Sequence, residues 1–228
     1  MNSFKFIAKD LLIDINSSIN IDIMNFLSID CSTDTGSLFI KAKNKTFSKI
    51  LQSDKLNNDL MMRRILDFFH ENNLKFDDLS TIFVNQGPGN FSGLRGSLAT
   101  AKGISLSKNL NLFGYNTFMW SCASFFNKKD SIFSIIKFRD KYFVKQFNKN
   151  LQDFFKVKNI SEDELIKKYN NKFKVIPKNM VKYFDKKILK LNNLNIVDLD
   201  HNKLEFLQLK GLLNESLIKP LYLSLNLF

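Results

Sequence analysis

The chain has 228 residues, 44% of them hydrophobic, which is enough for packed cores in one large domain or two small ones. Its net charge of +12 comes mostly from scattered lysines beyond Asn127, which indicates a solvated surface more than a basic tail for nucleic acid. No apolar run approaches the roughly 18 residues that cross a bilayer, and Cys31 and Cys122 form no Cys-x-x-Cys motif, so we expect a cytoplasmic protein.

Residues 1–23 are interpreted as an N-terminal extension. They lack the long apolar core of a signal peptide, because Asp10, Asp14 and Asp22 interrupt what hydrophobicity there is. A strand pattern begins directly after Met24. We therefore predict that Met24 is the native initiator or that residues 1–23 are a loosely held tail.

Residues 24–126 have the pattern of a mixed α/β sheet, in which a meander precedes alternating strands and helices. Short apolar runs indicate the strands, and apolar positions at helical spacing indicate the helices. The strands are predicted at 26–30, 38–41, 46–51, 82–84 and 110–115, and the helices at 54–72, 92–107 and 117–126, the last with Thr117 as its cap. We assign this stretch to the first of two lobes.

The predicted helix at 54–72 is apolar on more than one face. A broad stripe covers nearly half of its circumference, and Leu56 and Leu60 form a second, narrower stripe, although a surface helix needs only one apolar face. Two interpretations are open: the sheet and a neighbouring helix cover the two sides, or the helix is shared with a partner protein. The broad stripe consists of Met61, Met62, Ile65, Leu66, Phe68 and Phe69.

A glycine-rich turn precedes the helix at 92–107, and Ser92 is the candidate N-cap of that helix. Gly96, Ala99, Gly103 and Ser107 recur at three- and four-residue spacing, so they share one face of small side chains. Each glycine costs a helix roughly 1 kcal/mol relative to alanine. We expect close packing by another backbone to offset that cost.

Two polar turns are candidates for contact with phosphate. Asp30, Ser32 and Thr33 follow the first predicted strand, where an acid and hydroxyls can handle metal-bound phosphate, although the same residue types are ordinary turn formers. Gly87-Pro88-Gly89 precedes a helix, and glycine amides at a helix N-terminus attract anions. The segment is not a P-loop, because no Gly-Lys-Ser/Thr closes it.

The chain has two histidines, His70 and His201, and neither has a second ligand at the spacing of a zinc or iron site. We predict no metal site and interpret both histidines as surface or packing residues. No Ser-His-Asp or Cys-His arrangement stands out, so no residue is predicted to be catalytic.

A polar segment at 127–130 marks the boundary after the first lobe, and we assign residues 127–228 to a second lobe. The pattern predicts a hairpin from strands 131–136 and 142–147, and residues 153–157 extend its sheet. Ser161 and Glu164 form a capping box before a helix at 162–169. Further strands are predicted at 173–176 and 196–199, a helix at 200–213 and an extended segment at 219–223. The lobe is weakly patterned, and whether it is a degenerate copy of the first half stays open.

Three segments carry a resemblance to one family. They are Met24-Asn-Phe-Leu-Ser-Ile-Asp-Cys-Ser-Thr33, Asn85-Gln-Gly-Pro-Gly-Asn-Phe-Ser-Gly-Leu-Arg-Gly-Ser-Leu-Ala-Thr-Ala-Lys-Gly-Ile104 and Pro220-Leu-Tyr-Leu223. They are similar to the Ile-Asp-Thr-Ser, Gly-Pro-Gly-Ser-Phe-Thr-Gly-Leu-Arg and Pro-x-Tyr-Leu-Arg motifs of the bacterial TsaB (YeaZ) family. The resemblance is strong over residues 24–126 and faint beyond.

The resemblance implies a two-lobed, actin-like (ribonuclease-H-like) α/β fold with mixed sheets flanked by helices. It also implies a non-catalytic subunit of the complex that forms N6-threonylcarbamoyladenosine in tRNAs reading ANN codons. Such a subunit pairs with the catalytic, metal-binding paralogue TsaD, and the ATPase TsaE docks on the pair. The subunit is then expected to contact tRNA only as part of the complex. A homodimer that competes with this pairing stays open. We expect no tightly bound cofactor, with ATP or ADP binding at the complex interface.

The pairing implied by the resemblance uses the helices at 54–72 and 92–107. The interface candidates are Leu56, Leu60, Arg63, Arg64, Gly96, Ala99, Thr100, Gly103 and Ser107. The candidates for contact with nucleotide or phosphate are Asp30, Ser32, Thr33, Gly87, Pro88 and Gly89.

The sequence departs from the related patterns at several positions. The His-x-x-x-His pair that holds metal in the paralogue is absent from 54–72, which favours a non-catalytic role. Where the family has His-Ser-Glu, this chain has Gln52-Ser53-Asp54. It has Lys137-Phe138-Arg139 in place of Asp-Ala-Arg, and Ser224 in place of the terminal Arg. Two other functions stay open: an ATP-dependent small-molecule kinase that uses Asp30 and the glycine turn, and direct RNA binding by the basic surface.

Overall fold

The computed structural model describes residues 24–51, 60–216 and 218–223. Within these residues the backbone forms two five-stranded mixed sheets with helices packed against them, which confirms the predicted fold class. The first sheet lies before the polar break at 127–130 and the second lies after it. Residues 1–23, and with them the proposed extension, lie outside the described residues.

The first sheet contains strands β1 to β5 in the order β3-β2-β1-β4-β5. Strands β1 to β3 form an antiparallel meander, and β4 and β5 add to β1 in parallel. The bounds are β1 Phe26–Asp30, β2 Gly36–Ala42, β3 Lys45–Leu51, β4 Thr81–Asn85 and β5 Asn111–Tyr115. The five predicted strands are therefore confirmed, with β1 at its predicted bounds.

Two helices connect strands of the first sheet, and a third follows its last strand and packs against the second sheet. Their bounds are α1 Met61–Glu71, α2 Phe91–Lys108 and α3 Thr117–Cys122, and a 3₁₀ helix at Ala123–Phe125 follows the last of them. Successive strand side chains point to opposite faces. Leu27 and Ile29 accordingly pack in one core with Ile65 of α1 and Leu98 of α2, whereas Phe26 lies in the other core, with α3. This second core continues into the second sheet.

The second sheet contains strands β6 to β10 in the order β10-β9-β6-β7-β8. The bounds are β6 Ser131–Phe138, β7 Lys141–Asn148, β8 Lys158–Ile160, β9 Lys174–Pro177 and β10 Leu194–Val197, with helices α4 Glu162–Tyr169, α5 Lys186–Leu189 and α6 Asn202–Leu209. Strands β6 to β8 are an antiparallel meander, and β9 and β10 add to β6 in parallel. The second sheet thus repeats the strand order and directions of the first, a repeat that the sequence does not show.

Several expected local features are wrong. Asn90 caps α2 by accepting from the amide of Ser92 at 3.1 Å, and Asn116 caps α3 by accepting from the amide of Met119 at 2.9 Å. Neither Ser92 nor Thr117 is the cap, because a preceding asparagine oxygen already reaches the first free amides. At α4 the prediction is correct, since Ser161 Oγ accepts from the amide of Glu164 at 3.2 Å.

The weakly patterned second half also differs from expectation. Residues 153–157 form no strand; Asp153 makes a single bridge to Phe147, and the strand β8 begins only at Lys158. The apolar pair in this segment resembles a strand in sequence, but both rings are exposed. Between β9 and β10 the chain forms a 3₁₀ helix at Lys178–Tyr183 and the short α5, which the sequence pattern did not predict.

No helix within the described ranges is both long and apolar enough to span a bilayer.

The described part of the first helix begins at Met61. Residues 54–59 of the predicted helix, with Leu56, lie outside the described residues.

Candidate functional site

The polar turn after β1 is a closed hydrogen-bond network. Asp30 is buried at the end of β1, and its Oδ1 accepts from the amide of Ser32 and from Asn85 Nδ2, both at 2.9 Å. Asn85 ends the parallel neighbour β4 and also donates to Thr117 Oγ1 at 3.0 Å. Burial raises the pKa of the Asp30 carboxyl, while the hydrogen bonds from Ser32 and Asn85 lower it. The network joins the carboxyl ends of β1 and β4 to the start of α3.

Sequence reasoning missed Asn85 as a member of this network. A signal for it was present, because Asn85 directly follows a buried apolar strand. The carboxyl ends of neighbouring parallel strands meet at one edge of a sheet, where open α/β folds bind ligands.

The glycine turn packs directly onto the Asp30–Thr33 turn. A Cβ at Gly89 would lie 1.8 Å from the carbonyl oxygen of Ser32, and that same oxygen accepts from the amide of Asn90 at 2.8 Å. A Cβ at Gly93 would lie 2.5 Å from the carbonyl oxygen of Cys31. Glycine is therefore required here because one backbone touches another, and the two candidate phosphate turns form one structural unit.

Most amides at the start of α2 already have acceptors inside the chain. Asn90 Oδ1 accepts from Ser92 and Gly93, and Asn85 Oδ1 accepts from the amide of Gly87 at 2.8 Å. A phosphate cradle needs amides that point at the ligand. The contacts therefore give the glycine turn a packing role, and its contact with an anion stays a prediction.

A cleft of about 580 Å³ opens beside these turns, between the two sheets. Ser32, Thr33 and Gly89 line it from the first half, and Lys137 of β6 and Arg139 of the β6–β7 turn line it from the second. Asp34 closes part of its rim, because the hydroxyl of Tyr183 donates to its carboxylate and Lys182 Nζ lies 3.5 Å from it. Of the six predicted phosphate residues, Ser32, Thr33, Pro88 and Gly89 line this cleft, whereas Asp30 and Gly87 do not.

A smaller, more apolar pocket of about 380 Å³ adjoins the cleft. Phe91 and Tyr222 stack at one wall with ring centroids 5.3 Å apart, and the Arg95 guanidinium lies 4.3 Å from the Phe91 centroid. Tyr222 reaches this place because the extended segment at 218–223 returns to the first sheet, where the amide of Leu221 donates to the carbonyl of Gln86 at 2.6 Å.

The small-residue face of α2 is turned outward. Ala99, Gly103 and Ser107 are exposed and Gly96 is half-buried, while the opposite side of the helix, with Leu98, is buried. A Cβ at Gly103 would meet nothing within 4 Å. Packing within the described chain therefore does not offset the cost of Gly103 in a helix.

The neighbouring helix α1 also presents apolar side chains to solvent. Met61, Ile65, Phe68 and Phe69 are buried against the first sheet. Leu60 at its N-cap, Met62 and Leu66 are 41%, 40% and 47% exposed, respectively. Arg63 is exposed and Arg64 is half-buried beside them. Met62 and Leu66 belong to the broad apolar stripe of the sequence, so that stripe is wider than the face that the described residues cover.

Neither histidine lies in a metal cluster, since the described residues contain no group of three or more metal-ligating side chains. His201 packs between the rings of Phe39 and Trp120, and its ring nitrogens lie 2.9 Å from Ser28 Oγ and 3.2 Å from Ser37 Oγ. Burial lowers its pKa to about 4. His70 is exposed on α1, so the interpretation of packing and surface histidines is confirmed.

The sequence is similar to known proteins over the segment that contains α1 and α2. A family model described as "TsaD: tRNA N6-adenosine threonylcarbamoyltransferase" matches residues 53–136. The chain is 34% identical over 88 residues to the tRNA threonylcarbamoyladenosine biosynthesis protein TsaB of Buchnera aphidicola subsp. Baizongia pistaciae. That match covers 37% of this chain and 38% of the relative's length.

The fold is similar to solved structures over most of the chain. A Pseudomonas aeruginosa protein described as similar to peptidase YEAZ matches with a TM-score of 0.67 at 14% identity, and covers 89% of this chain and 100% of its own. YeaZ from Pseudomonas aeruginosa matches with a TM-score of 0.65 at 13% identity, and covers 88% and 100%. At these identities the structures show the two-lobed fold. The chain is therefore similar to TsaD and TsaB proteins over part of its length, and the solved structures show its fold.

Proposed function

We propose that this chain is a non-catalytic subunit of the machinery that forms N6-threonylcarbamoyladenosine in tRNA, and that it binds and activates a TsaD-type catalytic subunit. The similarity to a TsaB protein supports the pathway. The proposed TsaE-type ATPase partner follows from the same resemblance, and the proposed place of action is the cytoplasm.

One observation carries the proposal: two neighbouring helices expose apolar and small side chains that the described residues leave uncovered. On α1 these are Leu60, Met62 and Leu66, and on α2 they are Ala99 and Gly103. Small residues let a partner backbone approach closely, and apolar side chains stabilise an interface when they are removed from water. Arg63, next to Met62, is of a residue type enriched at interfaces.

Co-expression with the TsaD-type protein of the same organism tests the proposal. We expect the two chains to elute together in size-exclusion chromatography with mass measurement. Ala99→Leu and Gly103→Leu should abolish co-elution because the added side chains overpack the interface. A stable monomer that ignores the TsaD-type protein would overturn the proposal.

Lys167→Leu is the matched control for these variants. Lys167 is an exposed position on α4, so the substitution adds the same side chain to a helix in the other half. Co-elution should be unchanged by it. Far-ultraviolet circular dichroism should show that all three variants are folded, so that a lost interaction reports the interface and not the fold.

Nucleotide contact is a secondary part of the proposal, with ATP or ADP at the complex interface. The cleft beside Ser32, Thr33 and Gly89 supports it. Mg-ATP titration by calorimetry, on the chain alone and on the complex, tests it. Heat of binding that is measured with the complex but not with the chain alone supports nucleotide binding at the interface. If neither titration gives heat, this part of the proposal is wrong. The kinase alternative requires ATP hydrolysis by the chain alone that falls in Asp30→Asn.

A further inference from the structure

The positive charge of the chain is concentrated in its second half. Residues 127–228 contain 21 Lys and Arg against 11 Asp and Glu, so they carry +10 of the net +12. A face of this charge attracts an anionic polymer from a distance, and the attraction depends on salt. The proposed partner helices α1 and α2 lie in the other half, so they do not account for this charge.

Two neighbouring aromatic rings are exposed within this basic half. Phe154 and Phe155 lie in the segment between β7 and β8, with 58% and 52% of their surface exposed and ring centroids 5.8 Å apart. Lys158 Nζ lies 4.9 Å from the Phe155 centroid. Exposed apolar side chains that form a patch rimmed by polar residues mark a binding surface for another molecule.

The patch continues from these rings to α4 and to the loop that follows it. Phe155, Lys156 and Lys158 lie around the same shallow depression as Tyr169 of α4. Lys172 follows in the next turn, where its amide donates to the carbonyl of Tyr169 at 3.0 Å. We define the Lys-Phe surface by these six residues: Phe154, Phe155, Lys156, Lys158, Tyr169 and Lys172.

The lysines of this surface keep their charge available for a partner. Two acids of the flanking segments are already paired, with Asp153 2.6 Å from Lys145 Nζ and Glu164 2.5 Å from Lys168 Nζ. Within the described part of the chain, Lys156, Lys158 and Lys172 form no ion pair with an acid.

We infer that the Lys-Phe surface binds a single-stranded segment of RNA. Unpaired bases stack on exposed aromatic rings, and lysines beside the rings contact the phosphates. An apolar protein partner would desolvate the lysines without compensation, and an acidic peptide would leave the rings unused, so single-stranded RNA fits both kinds of group. The inference goes beyond the proposed function, because it assigns RNA contact to this chain itself and not only to the complex.

Fluorescence anisotropy of the full chain with a labelled 12-nucleotide single-stranded RNA, from 50 to 200 mM KCl, tests the inference. The double variant F154A/F155A should weaken binding about 30-fold or more, as expected when stacking on two rings is lost. The double variant K156A/K158A should lower the salt slope by about 1.4, since each lost phosphate contact removes about 0.7 for single strands.

Lys186→Ala combined with Lys187→Ala is the matched control. It removes the same charge from exposed positions of the same half, on α5. We expect its affinity to stay within about twofold of the unmodified chain, and its thermal unfolding to match that of the other variants. Binding lost equally in the control would overturn the inference, as would no binding at 50 mM KCl.

One further outcome identifies a different occupant. If F154A/F155A binds RNA normally but no longer co-elutes with the TsaD-type protein, the rings contact protein and the inference is wrong. The RNA measurement uses the chain alone, so its failure leaves the proposed pairing through α1 and α2 to be judged by co-elution.

Discussion

The two sheets have the same strand order and directions but different connections, and the difference separates two surfaces. Between β4 and β5 the first half has the long helix α2, with its exposed small residues, whereas the matching connection between β9 and β10 has a 3₁₀ helix and the four-residue α5. The first half carries the proposed protein interface and the second carries most of the charge. A repeated backbone thus presents two different surfaces through different connections.

The matching hairpin turns differ in the same way. The β1–β2 turn is tied to the sheet by the buried Asp30 network, while the β6–β7 turn presents Arg139 and Asp140 to the cleft. A buried network holds one wall of the cleft in a fixed shape, and the opposite wall supplies exposed charge. Substitutions that break one half at a time show how far each half depends on its own contacts.

Gly89→Ala should have the largest effect. The new Cβ would sit 1.8 Å from the Ser32 carbonyl oxygen, and neither backbone can move without breaking the turn network. Overpacking of this kind costs more than about 3 kcal/mol, so we expect little folded protein by circular dichroism and expression yield. Gly103→Ala is the control; it meets nothing within 4 Å and should stabilise the chain by about 0.5–1 kcal/mol. Equal stability of the two variants would contradict the packing explanation.

Lys174→Met tests the start of the matching strand in the second half. Lys174 begins β9 and is fully buried, and its Nζ lies 2.6–2.8 Å from four carbonyl oxygens, those of Tyr169, Asn170, Lys172 and Asn192, which share its three N–H donors. Methionine fills similar space but leaves these acceptors without a donor, so the free energy of unfolding should fall by about 3 kcal/mol.

Thr81→Val is the comparison for Lys174→Met, because Thr81 begins β4 and is equally buried. It loses one hydroxyl, and we expect a decrease of about 1 kcal/mol in urea unfolding. If Lys174→Met were no more destabilising than Thr81→Val, the four carbonyl contacts would contribute little to the stability of the second half.

Acid should weaken the contact between the halves through His201, which α6 places against β1 and β2 of the first sheet. Burial lowers its pKa from 6.5 to about 4, so the folded chain binds fewer protons than the unfolded chain in that interval. The free energy of unfolding should therefore fall as pH drops from 6.5 to 4, by up to about 3 kcal/mol. His201→Gln should remove this part of the pH dependence; an unchanged profile would rule out His201 as its source.

The helix caps should have the smallest effects, and similar ones in both halves. Asn90→Ala and Ser161→Ala each remove a side-chain oxygen that accepts from helix amides, which costs about 1 kcal/mol. Thermal unfolding should show comparable decreases in midpoint. A much larger effect of Asn90→Ala would indicate that the cap also holds the glycine turn against Ser32.

The sequence predicted the first half well, because its strands are short buried apolar runs between polar turns, as in Phe26–Asp30. The second half was harder to predict, since exposed Phe154 and Phe155 resemble a strand and the 3₁₀ helix at Lys178–Tyr183 has no periodic apolar pattern. The turn residues Asp30, Ser32 and Gly89 stand out in the sequence, but the contacts of Asn85 with Asp30 and of Tyr183 with Asp34 form only in the tertiary fold. Side chains that meet across sheets leave no spacing rule in the sequence.

The return of the last described segment to the first sheet has a consequence for synthesis on the ribosome. Gln86, next to the glycine turn, donates to the carbonyl of Lys219 at 2.8 Å and accepts from Asn214 Nδ2 at 2.7 Å, and Ile218 is buried in the core beside α1 and α2. The N-terminal half emerges first, yet these groups receive their partners only when residues 214–221 have left the exit tunnel. Completion of the first lobe is therefore a late event in synthesis that waits for residues 214–221.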